Sequence, residues 1–278
     1  MMNSLIKKII VNPEDFKQSY NDVVKTYNLW NKYIGKNSET MINEILPENN
    51  DEILDFACGN GFITENLLKL NPKLNITAVD ISENMINFAR SNILNDFVSF
   101  IVADGIEYLK NCNKKFDKIY FGWGMSYFNI KILFPLLKKV LKPNGLIYII
   151  TNTQTTFNFI QPIILNITVK NIVHLRKLLF IKNNLPKNMY DFKNILKKYN
   201  FNSVYLSENE KILTWNTAKD AYYWLKESGI ISGVKFMFDK KFDIDKEFIN
   251  YIEKNCKISK DKYFTKHGFT IGIFKELL

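Results

Sequence analysis

Residues Ile53 to Thr64 read Ile-Leu-Asp-Phe-Ala-Cys-Gly-Asn-Gly-Phe-Ile-Thr, and this stretch decides the fold. Its apolar first half predicts a buried strand, Gly59-Asn60-Gly61 predicts a tight turn, and the residues from Phe62 onward predict a helix. Because glycine has no Cβ atom, such a turn lets a nucleotide-like ligand lie against bare backbone. The stretch therefore predicts the first strand, turn and helix of a ligand-binding α/β sheet.

The residues around the turn indicate which ligand it binds. Dinucleotide-binding folds use Gly-x-Gly-x-x-Gly, in which the third glycine lets the helix pack closely below a pyrophosphate. Here Thr64 stands at that third position, and Asp55 precedes the turn on the strand. A carboxylate at this place repels a pyrophosphate but suits a ligand with an ammonium and a sulfonium group. S-adenosylmethionine (SAM) is such a ligand, so the stretch predicts a SAM site.

Strand and helix signals alternate from Asp51 onward, which predicts a parallel sheet with helices on both faces. Helices are expected from Phe62 to about Leu70, from the cap Ser82 to Ser91, and from Ile130 to Leu141. The predicted strands are Glu52–Ala57, Asn75–Val79, Val98–Ala103, Phe116–Phe121, Leu146–Thr151, Ser203–Leu206 and Phe269–Phe274.

The expected organisation is one α/β core with an added helical cap. Residues 1–50 form an N-terminal helical segment, and residues 51–151 form the SAM-binding core. Two insertions, 152–186 and 208–262, are expected to form the cap. The remaining core segments are 187–207 and the last strand within 263–278.

Acidic residues stand at the ends of three successive predicted strands, where ligands of open α/β sheets bind. Asp55 is expected to hold the methionine part through its charge or a bridging water, together with the backbone of Gly59, Asn60 and Gly61. Asp80, nineteen residues past Gly61, is placed to accept hydrogen bonds from both ribose hydroxyls. Each residue alone also fits a helix cap or an ordinary turn. Their combination favours a cofactor site.

The adenine ring is assigned to the residues that follow the second and third strands. Asp104 is expected to accept from the adenine amino group, and Gly105 lets the ring approach. Ile81 and Met85 offer apolar cover for the ring face, and Gly122, at the end of the fourth strand, completes the predicted cofactor-binding set.

Several segments resemble the motifs of class I SAM-dependent methyltransferases. Asp55-x-x-Cys-Gly-x-Gly resembles their first motif, 78–85 (Ala-Val-Asp-Ile-Ser-Glu-Asn-Met) the second, and 102–105 (Val-Ala-Asp-Gly) the third. Residues 141–145 (Leu-Lys-Pro-Asn-Gly) resemble the Leu-Lys-Pro-Gly-Gly turn, with asparagine in place of the first glycine. Residues 26–31 (Thr-Tyr-Asn-Leu-Trp-Asn) are similar to the Tyr-Asp-x-x-Asn segment of the N-terminal helix in quinone-biosynthesis methyltransferases, with Asn28 in place of the aspartate.

The resemblance implies a Rossmann-like, seven-stranded, mostly parallel sheet whose last strand is reversed. It also implies Tyr27 as a cofactor contact. The cap between the last strands is similar to that of trans-aconitate and malonyl-carrier-protein methyltransferases, which implies a small metabolite or a carrier-bound acyl group as acceptor. Methyl transfer to oxygen or nitrogen is the expected reaction. An RNA or protein methyltransferase and a non-catalytic SAM-binding module are the alternatives.

Two side chains are candidates for catalysis. His174 lies in the first insertion and is the candidate for a base if the acceptor must lose a proton. Tyr127 follows Gly122-Trp123-Gly124 and is expected to orient the acceptor. His267, which precedes the last strand, is expected to lie on the surface at the far end of that strand. For His174 an ordinary polar position on a helix is the alternative.

The segment after the fourth strand excludes two classes of base methyltransferase. Exocyclic amino methylation uses an Asn/Asp-Pro-Pro-aromatic segment there, whereas this chain has Phe-Gly-Trp-Gly-Met at 121–125. Cytosine-C5 methylation needs a cysteine nucleophile in that region, and none is present. Nucleic acid is therefore not the expected substrate.

The composition is that of an ordinary globular protein, with 46% hydrophobic and 24% charged residues. The net charge of +10 fits an acidic partner, such as nucleic acid, an anionic membrane or an acidic carrier protein. The alternative is a compositional bias of the source genome, because Lys, Asn and Ile are abundant throughout the chain. The three cysteines have no metal-type spacing, so no metal is expected.

No secretion signal or membrane span is expected, because Met1–Val11 lacks a cleavage site and residues 159–181 carry four basic or His residues. A cytoplasmic location is the default expectation. Eight basic residues in and after the first insertion fit an acidic carrier or a carboxylate, and a solvated helical face is the alternative. They are Lys170, Arg176, Lys177, Lys182, Lys187, Lys193, Lys197 and Lys198.

Overall fold

The computed structural model describes residues 10–179, 185–259 and 262–277, and Lys182 lies outside them. The strands in this part of the chain are β1 (Glu52–Phe56), β2 (Asn75–Asp80), β3 (Val98–Val102), β4 (Phe116–Gly122), β5 (Leu141–Asn152), β6 (Phe201–Trp215), β7 (Lys257–Ser259) and β8 (Lys262–Glu276). The α-helices are α1 (Pro13–Val23), α2 (Asn28–Glu44), α3 (Phe62–Leu70), α4 (Glu83–Asn92), α5 (Gly105–Asn111), α6 (Ile130–Val140), α7 (Ile160–Lys170), α8 (Met189–Lys197), α9 (Ala218–Glu227) and α10 (Ile244–Asn255).

Seven strands form one sheet in the order β3-β2-β1-β4-β5-β8-β6, and the short β7 pairs with β8. Strands β1 to β5 pair in parallel, as in Asp55 beside Ala78 and Tyr120. β8 runs antiparallel to β5, with Ile150 beside Ile271. The predicted Rossmann-like sheet with a reversed last strand is confirmed.

Apolar side chains cover both faces of the sheet. On one face, Leu54 and Phe56 of β1 join a core that includes Phe134 of α6 and Phe192 of α8. On the other face, Ile53 packs in a core that includes side chains of α2 and α3. Alternate residues of β1 thus enter opposite cores, which explains the continuous apolar run that marks this strand in the sequence.

The strand predictions were wrong in length at three places. β6 extends to Trp215, although the polar residues 207–211 suggested that the strand had ended. It is the last strand in the sheet order, and most of its side chains are partly exposed, so it lacks the alternation of a half-buried strand. β8 begins at Lys262 instead of Phe269 because its first residues pair with β7. β5 already begins at Leu141, ahead of the predicted turn at 143–145, where Asn144 has a φ of 67°.

The chain divides into two compact units. The sheet unit comprises Asn31–Gln154, Lys182–Asn209 and Gly268–Leu278. The second unit comprises Met1–Trp30, Thr155–Ile181 and Glu210–His267. Among the described residues, no helix is both long enough and apolar enough to cross a membrane.

Candidate active site

The order of the strands locates the ligand-binding crevice of the sheet unit. β1 pairs with β2 on one side and with β4 on the other, so the chain reverses its direction across the sheet between β1 and β4. Open α/β sheets bind ligands beyond the carboxyl ends of the strands at such a point. The turn after β1 and the Gly122-Trp123 segment at the end of β4 stand at this place.

The backbone is strained at both strand ends that flank this point. Ala57 and Trp123, neither of them glycine, have φ values of 57° and 61°. Gly59 and Gly61 have φ values of 54° and 84°, in the left-handed region that favours glycine. A Cβ atom on Gly61 would lie 2.9 Å from the side chain of Ile93, and the φ of 84° would strain any other residue at this position. Strained residues of this kind cluster at functional sites.

The carboxylate of Asp80 is held by the backbone on both of its oxygens. Oδ2 accepts a hydrogen bond from Gly59 N at 2.8 Å, and Oδ1 accepts one from Ser82 N at 2.8 Å. Burial raises the pKa of this carboxyl group, and these backbone hydrogen bonds lower it. The glycine turn and the end of β2 are therefore joined through one side chain, whose remaining lone pairs suit two neighbouring hydroxyl groups.

Asp55 is completely buried beneath the turn. Its Oδ2 accepts hydrogen bonds from the hydroxyl of Thr64 at 2.6 Å and from Thr64 N at 3.1 Å. Its Oδ1 is buried and has no hydrogen-bond partner among the described residues. Burial raises the pKa of Asp55 to about 7, although the bonds from Thr64 lower it. Thr64 thus stands where a dinucleotide-binding turn has glycine because its hydroxyl binds this carboxyl group.

Helix α2 contributes two contacts that the sequence reasoning did not assign. Asn31 Nδ2 donates to Asn60 Oδ1 in the turn at 2.9 Å. Trp123 Nε1 donates to the hydroxyl of Ser38 at 3.1 Å. Within the sheet unit, α2 is therefore attached both to the turn and to the end of β4. Asn31 was visible as the last residue of the Tyr-Asn-x-x-Asn segment, whereas no local signal marks Ser38.

At the end of β3, Asp104 acts as the N-cap of α5. Its Oδ1 accepts from Ile106 N at 2.9 Å and from Glu107 N at 3.0 Å. A Cβ atom on Gly105 would lie 2.6 Å from the ring of Phe56, so packing within the core already requires glycine there. The N-cap and the core packing therefore explain Asp104 and Gly105 without a ligand. The contacts of these two residues with adenine stay predictions.

The two predicted adenine-cover residues differ in exposure. The side chain of Met85 is only 1% exposed and packs inside the sheet unit, so it presents no open surface to a ligand. Ile81 is half-buried beside Asp80. Of the two, Ile81 is the residue that fits the predicted cover of the ring.

The other predicted site residues lie in different parts of the chain. Tyr127 ends a short 3-10 helix in the sheet unit and is 41% exposed. Tyr27 lies in the second unit, where its ring meets that of Tyr20 edge-on at 5.9 Å. His174, also in the second unit, places Nδ1 3.1 Å from Asp239 Oδ2. Arg176 donates to the same oxygen at 2.9 Å.

The expectation that His267 lies on the surface was wrong. This residue is within β8, is completely buried, and stacks on Phe157 with ring centroids 5.0 Å apart. The ring centroids of Trp30 and His267 are 5.4 Å apart. Burial lowers the pKa of His267 to about 3, assisted by the charge of Lys211. The expected position at the far end of the last strand was also wrong. The next residue, Gly268, accepts a hydrogen bond from Thr153 N, which lies just beyond the carboxyl end of β5.

The chain matches known methyltransferases in sequence and in fold. A family model described as a methyltransferase domain matches residues 47–229. A malonyl-[acyl-carrier protein] O-methyltransferase of Priestia megaterium is 33% identical over 152 residues, which cover 53% of this chain and 55% of that protein. A demethylmenaquinone methyltransferase of Leptospira interrogans is 29% identical over 146 residues, covering 47% and 57%. The chain spans about half the length of these curated relatives.

A solved structure from Bacillus halodurans C-125, assigned as a methyltransferase, has a similar fold. The TM-score is 0.56 and the identity 16%, over 87% of this chain and 100% of that one. At this identity the likeness concerns the fold alone.

Proposed function

We propose that this chain, which belongs to the family of methyltransferase domains, transfers a methyl group from SAM to a carboxylate oxygen of a small or carrier-bound acyl acceptor. The sequence-based identification as a class I SAM-dependent methyltransferase is confirmed, and SAM is the cofactor of that class. The observation that carries the proposed acceptor is the similarity to a malonyl-[acyl-carrier protein] O-methyltransferase.

The residues at the switch point fit this cofactor. Asp80 is already held by Gly59 and Ser82, so it would accept hydrogen bonds from the two ribose hydroxyls without rearrangement. The buried Oδ1 of Asp55 lacks a partner among the described residues, which suits an ammonium group or a bridging water. We propose that the backbone from Gly59 to Gly61 lies against the methionine part, and that Ile81, Asp104 and Gly122 complete the site.

When bound, the cofactor supplies an electrophilic methyl group on a positively charged sulfur atom. A carboxylate acceptor is already ionised at neutral pH, so the protein needs no base to activate it. The chain then mainly has to align the acceptor with the methyl group and exclude water. We propose that Tyr127 orients the acceptor. His174, oriented by Asp239, is the proposed base for any acceptor that must lose a proton.

The proposed acceptor agrees with the charge of the chain. A net charge of +10 favours the approach of anions, either a free carboxylate or a malonyl group on an acidic carrier protein. An acidic carrier protein and a cytoplasmic location are part of the proposal. We also propose that residues 152–186 and 208–262 form the cap that selects the acceptor.

Transfer of labelled methyl from SAM tests this proposal with three acceptors: a malonyl-carrier protein, a malonyl thioester without carrier, and demethylmenaquinone. We expect the label in a methyl ester of one or both malonyl acceptors. Base hydrolysis should then release the labelled methyl group. Asp80→Asn should reduce transfer at limiting SAM because it weakens cofactor binding, whereas the same change at Asp96, an exposed acid in the loop before β3, should not.

Two results would contradict different parts of the proposal. Label in demethylmenaquinone alone would exclude the carboxylate acceptor but keep the cofactor site. Calorimetry that detects no SAM binding by the folded protein would exclude the site itself.

A further inference from the structure

Helix α7 and the turn after it expose an aliphatic surface in the second unit. Leu165 and Val169 are each 66% exposed, and Ile172 and Val173 are 63% and 75% exposed. Their spacing of four, three and one residues puts the helical pair on one side and continues it into the 3-10 turn Ile172–His174. We call these four residues the outer face.

The outer face is not needed to hold α7 in place. The opposite side of the helix carries Ile160, Ile163 and Ile167, which are all buried. α7 is thus apolar on two sides, although one apolar side is enough to pack a helix onto a protein core. Exposed aliphatic surfaces of this kind mark binding sites for apolar partners.

The charge of the chain is concentrated around the same part of the sequence. The stretch 155–181 of the second unit, which includes the outer face, contains Lys170, Arg176 and Lys177 and no Asp or Glu. The second unit, which contains the outer face, has 19 Lys and Arg against 12 Asp and Glu, a net charge of +7. The surface that binds there is therefore expected to be anionic.

These observations favour a lipid surface over a protein. A second copy of the chain would bring two units of charge +7 together. An acidic protein partner would need available basic groups, yet Arg176 donates to Asp239 and Lys177 to Asp15 within the second unit. A bilayer needs less specific pairing, because it accepts aliphatic side chains below the headgroups while its negative potential attracts the unit as a whole.

We propose that the outer face docks this protein on an anionic membrane surface. Leu165, Val169, Ile172 and Val173 enter the headgroup region, and Lys170, which is exposed beside Val169, stays among the anionic headgroups. The attachment is peripheral and reversible.

Vesicle co-sedimentation tests this without any methyl acceptor, so its result is independent of the proposed activity. The full chain is mixed with vesicles of phosphatidylcholine alone or with added phosphatidylglycerol. We expect at least about tenfold tighter binding to the anionic vesicles at low salt, and a loss of affinity as salt rises. The variant Val169→Glu/Val173→Glu should bind the anionic vesicles at least about tenfold more weakly. Leu94→Glu, at an 89% exposed aliphatic position of the sheet unit, is the matched control and should bind like the wild type.

All three substituted positions are exposed, and circular dichroism can verify that both variants fold. Absence of vesicle binding by the wild type would overturn the proposal. The same holds if the double variant and the Leu94 variant bind like the wild type. Self-association that the double variant abolishes, without vesicle binding, would assign the outer face to a second copy instead.

Discussion

The Oδ2 atom of Asp80 lies 2.8 Å from the backbone nitrogen of Gly59, so the acid at the end of β2 fixes the glycine turn that follows β1. Its other oxygen accepts from Ser82 N, the N-cap residue of α4. One carboxylate thus sets the relative position of two segments that the ligand is expected to contact. The carboxylate that we propose as the ribose acceptor is thus held in place by the protein itself.

This arrangement predicts a strong effect of Asp80→Asn on SAM affinity. The amide keeps one acceptor oxygen but turns its NH2 group toward a backbone N–H donor, and the charge is lost. Hydrogen bonds to charged groups contribute about 1.5–3 kcal/mol, so calorimetry should show a loss of about 10- to 100-fold. Asp96→Asn is the control. Equal affinity of the two variants would exclude Asp80 from the cofactor site.

The two roles assigned to Asp104, the N-cap of α5 and the contact with adenine, can be tested separately. Asp104→Ser keeps a side-chain oxygen for the N-cap of α5, so the free energy of unfolding should stay near that of the wild type, whereas Asp104→Ala should lose about 1 kcal/mol. If the carboxylate also accepts from adenine, the serine variant should bind SAM about two- to tenfold more weakly. An unchanged affinity of the serine variant would leave Asp104 with the cap alone.

Asp55 is expected to make stability fall as the pH rises. Its pKa is raised from 3.8 to about 7 in the folded state, mainly by burial. The native protein therefore keeps a proton that the unfolded chain loses, and this stabilisation, complete below pH 3.8, is lost as the pH rises through about 7.

Asp55→Asn cannot titrate, which makes the comparison a test. Between pH 5 and pH 8 the wild type should lose about 2–3 kcal/mol of unfolding free energy relative to this variant, measured by urea denaturation. Parallel pH profiles for the two proteins would contradict the raised pKa.

His267 is expected to have the opposite effect on the acid side. Its pKa is lowered from 6.5 to about 3 by burial. Below pH 6.5 the unfolded chain takes up a proton that the native state refuses, so stability declines as the pH falls toward about 3.

Replacing this residue with phenylalanine should remove the decline, because the new ring stacks on Phe157 and has no proton to gain. Between pH 7 and pH 5 the wild type should lose about 2 kcal/mol more than His267→Phe in urea denaturation. A variant that loses as much as the wild type would show that His267 titrates normally.

Much of the fold and of the candidate site could be predicted because the signals are local. The turn at Gly59-Asn60-Gly61, the cap at Ser82 and the turn at Asn144 each depend on the conformational preference of one or a few residues. β1, β2 and β4 are mostly buried on both faces, so each appears as an apolar run of about the right length. The length of β6 was missed because an edge strand needs no such pattern.

Other features depend on residues far away in the chain. The hydroxyl of Thr64 and the packing of Phe56 against Gly105 decide how Asp55 and Gly105 are used, and neither partner is apparent from sequence spacing. His267 was expected on the surface because it was placed ahead of the last strand, at the far end of that strand. Its burial depends on Trp30 and Phe157, which come from two distant segments of the second unit.

The sequence by itself determined the sheet, the glycine turn, the acids at three strand ends and the cofactor class, because turns and strand periodicity are local properties of the chain. Only the tertiary structure decided which oxygens of Asp55, Asp80 and Asp104 are already occupied, and which apolar side of α7 is exposed. Burial and hydrogen bonding depend on contacts between segments that are distant in sequence, and these contacts exist only once the chain has folded.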